Sequence, residues 1–184
     1  MIIQGDCLKE LKKFPDKAFN YCLSSPPFKE AEFGEENYWN NFDELMTEIT
    51  RTVSEAAFVF NSSTKMKEMF KRYPVHRVLI WGKQPSCYSY RYEPIFVFQL
   101  GKMKVNRWIF KDFWAMPPIL GNSKTYENPV KLYREILLRF PKGKVIDPFA
   151  GTGTTARACA ELGHEFTGIE LNEEKAKALL LLEK

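Results

Sequence analysis

The sequence predicts an α/β fold with a largely parallel central sheet. Two observations lead to this prediction. Short apolar runs alternate along the chain with longer segments whose apolar residues recur at helical spacing. A glycine-rich turn, residues 151–153, directly follows one apolar run and precedes a helical segment. Strands that alternate with helices in this way pair mostly in parallel.

The predicted elements cover most of the chain. Strands are predicted at residues 19–23, 56–60, 75–81, 94–98, 144–147 and 165–169. Helices are predicted at residues 7–14, 41–55, 64–72, 129–140 and 153–162, and from residue 173 onward. Pro129 suits a first helical turn, because proline has no N–H to leave unpaired there. Residues 101–128 are the least regular stretch.

Length and composition predict one globular domain over residues 1–184. The formal net charge of +4 is compatible with a nucleic-acid partner but is shared by many enzymes of small molecules. The four cysteines have neither metal-ligand nor disulfide-framework spacing, so we expect free thiols in a reducing cytoplasm and no bound metal. We expect no signal peptide and no membrane span.

The first chemical motif is a strand, a glycine turn and a helix at residues 144–158. The glycines allow a ligand to approach the backbone, and the helix N-terminus offers free N–H groups. Glu170 ends the next predicted strand, where a carboxylate can accept hydrogen bonds from both ribose hydroxyls of a nucleoside cofactor. The turn also fits a dinucleotide fingerprint or an ordinary structural turn. A P-loop is excluded, because no lysine follows the second glycine.

The second motif, residues 24–28, has the sequence Ser-Ser-Pro-Pro-Phe and follows a predicted strand. Consecutive prolines fix an extended turn, and α/β proteins bind ligands at this end of a strand. Such a turn directs the Ser25 side chain and a backbone carbonyl toward one point beside an aromatic ring. These groups suit the exocyclic amine of a base, whose hydrogens need acceptors and whose ring needs a stacking partner. A plain loop is the alternative.

Together the motifs resemble the class β DNA amino-methyltransferases of restriction–modification systems. The tetrapeptide Ser25-Pro26-Pro27-Phe28 precedes the segment Phe149-Ala150-Gly151-Thr152-Gly153, as in that family. Further similarity lies in residues 5–8, 14–16, 92–98 and 128–132. Guanine-amino RNA methyltransferases and protein-glutamine methyltransferases have the opposite motif order. A dehydrogenase has no use for the proline turn.

The resemblance implies an S-adenosylmethionine-dependent methyltransferase of Rossmann-like fold, with helices on both faces of the sheet and a circularly permuted motif order. It implies that the catalytic residues are Ser25, Pro26, Pro27 and Phe28. It implies that the cofactor-binding residues are Asp6, Cys7, Asn128, Leu132, Asp147, Phe149, Gly151, Gly153, Thr154 and Glu170. Asp6 has an alternative role as a helix cap, Cys7 as a small buried apolar residue and Phe149 as a core residue.

The first residue of the tetrapeptide distinguishes enzymes that act on two different target bases. Serine resembles the enzymes that make N4-methylcytosine, whereas aspartate is usual in adenine N6 methylases, although some adenine enzymes share the serine form. A hydroxyl accepts a hydrogen bond without charge, while a carboxylate accepts more strongly. We therefore expect methylation of cytosine N4 in duplex DNA, with adenine N6 as the alternative.

The region available for target recognition is short, at about residues 99–127. Its basic residues are expected to contact DNA phosphates, and the candidates are Lys102, Lys104, Arg107 and Lys111. Trp108 and Trp114 are either base-stacking or core residues. So small a region implies a short recognition sequence, a separate specificity partner or a homodimer. A non-catalytic accessory module that binds cofactor and DNA is a further alternative.

Overall fold

The computed structural model of the chain describes residues 1–27, 35–83, 91–105, 111–120 and 126–181. The first elements are β1 (Ile2–Gln4), α1 (Cys7–Leu11), β2 (Phe19–Ser24), α2 (Glu35–Thr52), β3 (Val53–Phe60), α3 (Met66–Arg72), β4 (Arg77–Gly82) and β5 (Tyr92–Gln99). A single 3-10 turn, Ser63–Lys65, precedes α3. The later elements are β6 (Phe113–Ala115), β7 (Ile119–Leu120), β8 (Tyr126–Glu127), α4 (Val130–Leu137), β9 (Lys144–Asp147), α5 (Thr154–Leu162), β10 (Glu165–Glu170) and α6 (Glu173–Leu180).

In the part of the chain that the structure describes, eight strands form the main sheet in the order β1-β10-β9-β2-β3-β5-β4-β6. Within the described residues, β5 is the one strand of this sheet that runs against the others, and it pairs antiparallel with both β3 and β4. The other pairs are parallel. Strands β7 and β8 form a separate small hairpin. The predicted largely parallel sheet is confirmed.

The core has two layers because the central strands are buried on both faces. In β2, Tyr21 and Leu23 face one layer, while Phe19 and Cys22 face the other. The first layer is covered by α4 and α5, and the second by α1, α2 and α3. Helix α6 packs against β1 and β10. The resulting fold has helices on both faces of the sheet, as the resemblance implies.

Several element boundaries differ from the sequence-based prediction. Strand β1 has no counterpart in the prediction, since three residues are too few for a period-two pattern to be recognised. Helix α2 begins at Glu35 instead of residue 41, and its chain passes directly into β3 at Val53. The irregular stretch 101–128 contains β6, β7 and β8, which are only two or three residues long.

Among the helices described, none has the length and apolar character needed to cross a membrane.

Candidate active site

The two predicted motifs meet at the carboxyl edge of three neighbouring strands. The proline turn follows β2, the glycine turn follows β9, and Glu170 ends β10. These strands are parallel neighbours, with Cys22 paired to Ile146 and Gly168 paired to Asp147. Because parallel strands end at the same edge, the motifs converge there although more than a hundred residues separate them.

The proline turn is described as far as Pro27, and Phe28 lies outside the described residues. Ser25 is partly buried, Pro26 is buried and Pro27 is exposed. Just before the turn, Ser24 is fully buried and its hydroxyl donates to Asp147 Oδ1 at 2.7 Å. The base of the turn is thereby tied to the strand that carries the glycine motif.

Asp147 joins three elements at this edge. Its carboxylate accepts hydrogen bonds from the hydroxyls of Ser24 and Thr155 and from the backbone N–H of Phe149. Burial raises the pKa of Asp147, and these hydrogen bonds oppose that increase. Both carboxylate oxygens are therefore occupied by β2, the glycine turn and α5. Thr155 is a residue that the sequence analysis missed.

The glycine turn requires backbone angles that glycine adopts without strain. Gly151 and Gly153 have φ values of +54° and +85°, and Gly153 caps the N-terminus of α5. A Cβ placed on Gly151 would meet nothing nearer than the Phe149 carbonyl oxygen at 3.7 Å. The space beside Gly151 is consequently open, and the first N–H groups of α5 lie next to it.

Glu170 supports the glycine turn from the neighbouring strand. Its Oε2 accepts a hydrogen bond from Gly151 N at 2.8 Å, and its Oε1 accepts one from Asn172 N at 2.8 Å. The Glu170 carbonyl accepts from Gly5 N at 3.0 Å, which places the end of β1 beside it. A carboxylate oxygen has two lone pairs, so these contacts leave acceptor capacity for a ligand.

A cavity of about 180 Å³ opens between the motifs. Six of the predicted site residues line it, namely Ser25, Asn128, Asp147, Phe149, Gly151 and Thr154. Residues that the sequence analysis missed also line it, including Glu127, Tyr133, Thr155 and Lys175. A larger groove of about 530 Å³ lies at the opposite, amino edge of the strands, beside Phe19 and Lys144. That groove contains none of the predicted site residues, so the smaller cavity is the better candidate.

The other predicted cofactor residues do not form the wall of this cavity, and they are Asp6, Cys7, Leu132, Gly153 and Glu170. Asp6 is exposed and caps α1, where its carboxylate accepts from Leu8 N at 2.9 Å. Cys7 is partly buried, and burial together with the Asp6 charge raises its thiol pKa to about 12. Both follow β1, next to Glu170. Leu132, in contrast, is fully buried in the core, and the structure does not place it on the cavity wall.

A hydrogen-bonded network beside the cavity joins α4 to the glycine turn. The hydroxyl of Tyr133 accepts a hydrogen bond from Asn128 Nδ2 at 2.8 Å. The carbonyl of Asn128 accepts a hydrogen bond from Thr154 Oγ1 at 3.3 Å. Asn128 thus bridges α4 and the glycine turn, a role that its place in the sequence did not reveal.

The predicted DNA-binding lysines do not join this site. The chain leaves β5 at the amino edge, where Leu100 N donates to the Glu55 carbonyl at 2.9 Å, and Lys102 and Lys104 follow. Lys111 precedes β6 next to Asp112, which pairs with Arg77 at the start of β4. Lys102 therefore lies near the edge opposite Ser25, because β5 runs antiparallel, while Lys111 lies beside β4 just before β6 begins. Arg107 and Trp108 lie outside the described residues, and Trp114 is a core residue.

A parallel sheet that joins a glycine turn at a helix N-terminus to a Ser-Pro-Pro turn defines an enzyme that brings a nucleoside cofactor to a second substrate. Comparison with known proteins identifies the group. A family model described as DNA methylase matches residues 19–180, and the chain belongs to this family.

Individual relatives agree with this assignment. The DNA adenine methyltransferase YhdJ of Escherichia coli (strain K12) is 24% identical over 242 residues, covering 96% of this chain and 80% of its own. The structure is similar to PvuII DNA methyltransferase (cytosine-N4-specific), with a TM-score of 0.80, 14% identity and coverage of 97% and 84%. It is also similar to the M1.HpyAVI–SAM complex, with a TM-score of 0.73, 17% identity and coverage of 99% and 98%. The chain shares the methyltransferase fold of these structures.

Proposed function

We propose that this methylase transfers a methyl group to the exocyclic N4 of a cytosine in duplex DNA. Membership of the DNA methylase family supplies the coarser part of this statement, a DNA methyltransferase of the N4/N6 group. The methyl donor is S-adenosylmethionine, which is also bound in the similar M1.HpyAVI–SAM complex. The choice of base rests on Ser25.

The residues of the cavity fit this cofactor. The open space beside Gly151 and the N–H groups at the start of α5 suit a ligand that approaches the backbone closely. Glu170 would hold the ribose through the lone pairs that Gly151 and Asn172 leave free. Asp6 and Cys7, beyond Glu170, would border the adenine. When bound, S-adenosylmethionine supplies an electrophilic methyl group carried by a sulfonium.

The chain's own groups would prepare the target amine. The lone pair of an exocyclic amine is delocalised into the base, so the nitrogen is a poor nucleophile. The Ser25 hydroxyl and a backbone carbonyl of the turn would accept its two hydrogens, which favours a tetrahedral nitrogen with a localised lone pair. The base must leave the DNA stack to reach Ser25, which costs a few kcal/mol. Stacking on Phe28 is proposed to offset part of this cost.

The preference for cytosine is carried by the neutral character of Ser25. Serine carries no charge, so the first position of the tetrapeptide has no carboxylate of the kind usual in adenine enzymes. PvuII methyltransferase, which has the same fold, is cytosine-N4-specific. Adenine N6 is the second candidate, because the adenine methyltransferase YhdJ aligns with 96% of the chain.

The test is mass spectrometry of nucleosides from mixed-sequence duplex DNA incubated with the protein and isotopically labelled cofactor. Labelled N4-methylcytosine is the expected product, and Ser25→Ala provides the low-activity control. Labelled N6-methyladenine as the sole product would retain the family and overturn the choice of base. Bound cofactor and bound DNA without any transfer would favour a non-catalytic accessory module.

Target recognition is proposed to involve more than residues 99–127. The described lysines of this stretch lie away from Ser25, so they do not surround a flipped base. A second copy of the chain or a separate specificity partner would complete the DNA-binding surface. Analytical ultracentrifugation with and without target DNA tests for a second copy of the chain. A monomer in both conditions would contradict a homodimer.

Free thiols such as Cys22 and Cys159 are consistent with the cytoplasm as the compartment.

A further inference from the structure

Two charged residues that the sequence analysis missed lie on the wall of the cavity between the two motifs. Glu127 ends β8, and Lys175 lies in the first turn of α6. Among the described residues of this wall, Lys175 is the one basic residue, while Glu127 and Asp147 are the acidic ones. The cavity therefore presents both signs of charge to a ligand.

Glu127 is held at the cavity by an ion pair with α5. Arg157 Nη2 donates to Glu127 Oε2 at 3.3 Å, and the Glu127 side chain is 22% exposed. A carboxylate has more acceptor sites than this contact uses, and Oε1 remains available to a donor. A cationic group in the cavity can therefore bind Glu127 without displacing Arg157.

Lys175 is positioned by the cap of α6. Asn172 Oδ1 accepts a hydrogen bond from Lys175 N at 3.0 Å, and Glu170 Oε1 accepts one from Asn172 N at 2.8 Å. These two contacts tie the backbone of Lys175 to the carboxylate that is proposed to hold the ribose. Within the described residues, no carboxylate forms an ion pair with the Lys175 ammonium. This cation is consequently available to an anionic ligand.

S-adenosylmethionine has an end whose charges match these two residues. Its methionine end carries an α-ammonium and an α-carboxylate, and its sulfonium is a second cation. The acidic residues Glu127 and Asp147 attract the cations but repel the carboxylate. A carboxylate that leaves water needs a positive partner or hydrogen-bond donors, and Lys175 is the basic residue of the wall that supplies them.

We propose that Lys175 binds the carboxylate and Glu127 binds the ammonium of the methionine end of the cofactor. The inference rests on the proposed position of the cofactor, with its ribose at Glu170, and not on the choice of target base. In the cofactor the sulfonium lies between the ribose and the methionine end. Contacts at both of these ends would hold the methyl group in place beside the proline turn.

The test measures the affinity of Lys175→Met and Glu127→Gln for three ligands by isothermal titration calorimetry. S-adenosylmethionine and S-adenosylhomocysteine both carry the zwitterionic methionine or homocysteine end, whereas methylthioadenosine retains the nucleoside and lacks that end. Each variant is expected to raise the Kd of the first two ligands about 5–20-fold, the effect of losing a charged hydrogen bond close to solvent. The Kd of methylthioadenosine is expected to stay unchanged.

Matched controls are Lys177→Met and Glu161→Gln. Lys177 lies on the same helix as Lys175 and pairs with Glu173 at 2.6 Å, and Glu161 pairs with Arg134 at 3.7 Å. Neither is among the described residues on the cavity wall. Both controls should bind all three ligands with wild-type affinity, and thermal melting establishes that every variant is folded.

The pattern across ligands decides the inference. An equal loss for methylthioadenosine would assign Lys175 and Glu127 to the nucleoside and overturn it. A loss for S-adenosylmethionine alone in Glu127→Gln would assign that residue to the sulfonium instead. Unchanged cofactor affinity in Lys175→Met, with a raised KM for DNA, would make the lysine a phosphate contact and overturn its proposed role.

Glu170→Ala separates this inference from the proposed position of the cofactor. All three ligands contain the ribose, so this variant should weaken all of them. Unchanged affinity in folded Glu170→Ala would overturn the proposed position and the inference with it. A loss in Glu170→Ala, combined with wild-type affinities in Lys175→Met and Glu127→Gln, would overturn only the inference.

Discussion

Replacing Glu170 with alanine removes the carboxylate that supports the glycine turn from β10. The substitution deletes the hydrogen bonds from Gly151 N and Asn172 N, both at 2.8 Å. It also deletes the acceptors proposed for the ribose hydroxyls. Loss of a hydrogen bond to a charged group is worth about 1.5–3 kcal/mol, and partial exposure of this site places the expected effect toward the lower end.

The expected result is a loss of S-adenosylmethionine binding of about 1–3 kcal/mol, which corresponds to a dissociation constant raised roughly 5–150-fold. Isothermal titration calorimetry measures this directly. Glu174→Ala is the matched control, because Glu174 is an exposed glutamate in the first turn of α6, close in sequence to Glu170, whereas Glu170 is the one hydrogen-bonded to Gly151 of the glycine turn. Its affinity should equal that of the wild type.

Glu170→Gln distinguishes two contributions to this loss. Glutamine retains one acceptor oxygen but presents an NH₂ group to the second backbone N–H, so one of the two contacts is replaced by a donor–donor conflict. An affinity between those of the wild type and Glu170→Ala is expected. If folded Glu170→Ala bound S-adenosylmethionine as tightly as the wild type, the assignment of the ribose to Glu170 would be refuted.

Gly151→Ala should lower the free energy of unfolding by about 1–2 kcal/mol, because the φ of +54° strains an alanine although no atom blocks its Cβ. Chemical denaturation measures this free energy, and an unchanged denaturation midpoint would contradict the prediction. Ser25→Ala should lower methyl transfer at least about 10-fold with cofactor affinity intact, and normal turnover would make the proline turn structural only. Burial lowers the pKa of His164 below its ordinary 6.5, so the folded state favours neutral imidazole, which accepts from Gly143 N. The contribution of His164 to the free energy of unfolding is complete above pH 6.5 and is lost as the pH falls from 6.5 toward the lowered pKa. His164→Gln should therefore flatten the decline of the free energy of unfolding with falling pH, measured by chemical denaturation at a series of pH values. An unchanged pH dependence would exclude His164 as its source.

The local motifs of the site can be recognised in the sequence. A strand followed by a glycine turn and a helix, or by two prolines, is encoded within about ten residues. The shared edge of parallel strands then brings these motifs together, so Ser25, Asn128, Gly151 and Thr154 line one cavity, while their roles toward cofactor and base stay predictions. Short-range signals suffice because each motif dictates its own backbone.

The residues that support the site were harder to recognise. Tyr133 lies in an amphipathic helix beside Leu132 and Ile136, where the sequence pattern predicts only that an aromatic residue packs in the core. Its ring does pack in the core, and the role of its hydroxyl is seen only in the structure, where it accepts a hydrogen bond from Asn128 beside the cavity. The sequence likewise predicts Thr155 only as a helix residue, whereas in the structure its hydroxyl donates a hydrogen bond to Asp147. These contacts join residues from different elements, and no periodicity encodes them.

The position of the basic residues depends on a single strand direction. A fully parallel sheet would end β5 at the carboxyl edge and place Lys102 and Lys104 at the same edge as Ser25. Strand β5 instead pairs antiparallel with both neighbours, and its buried pattern of side chains is the same in either direction. Apolar patterning sets which strands are central but does not set their polarity. Lys102 and Lys104 therefore follow a strand that ends at the edge opposite Ser25, and their contacts with DNA phosphates stay a prediction.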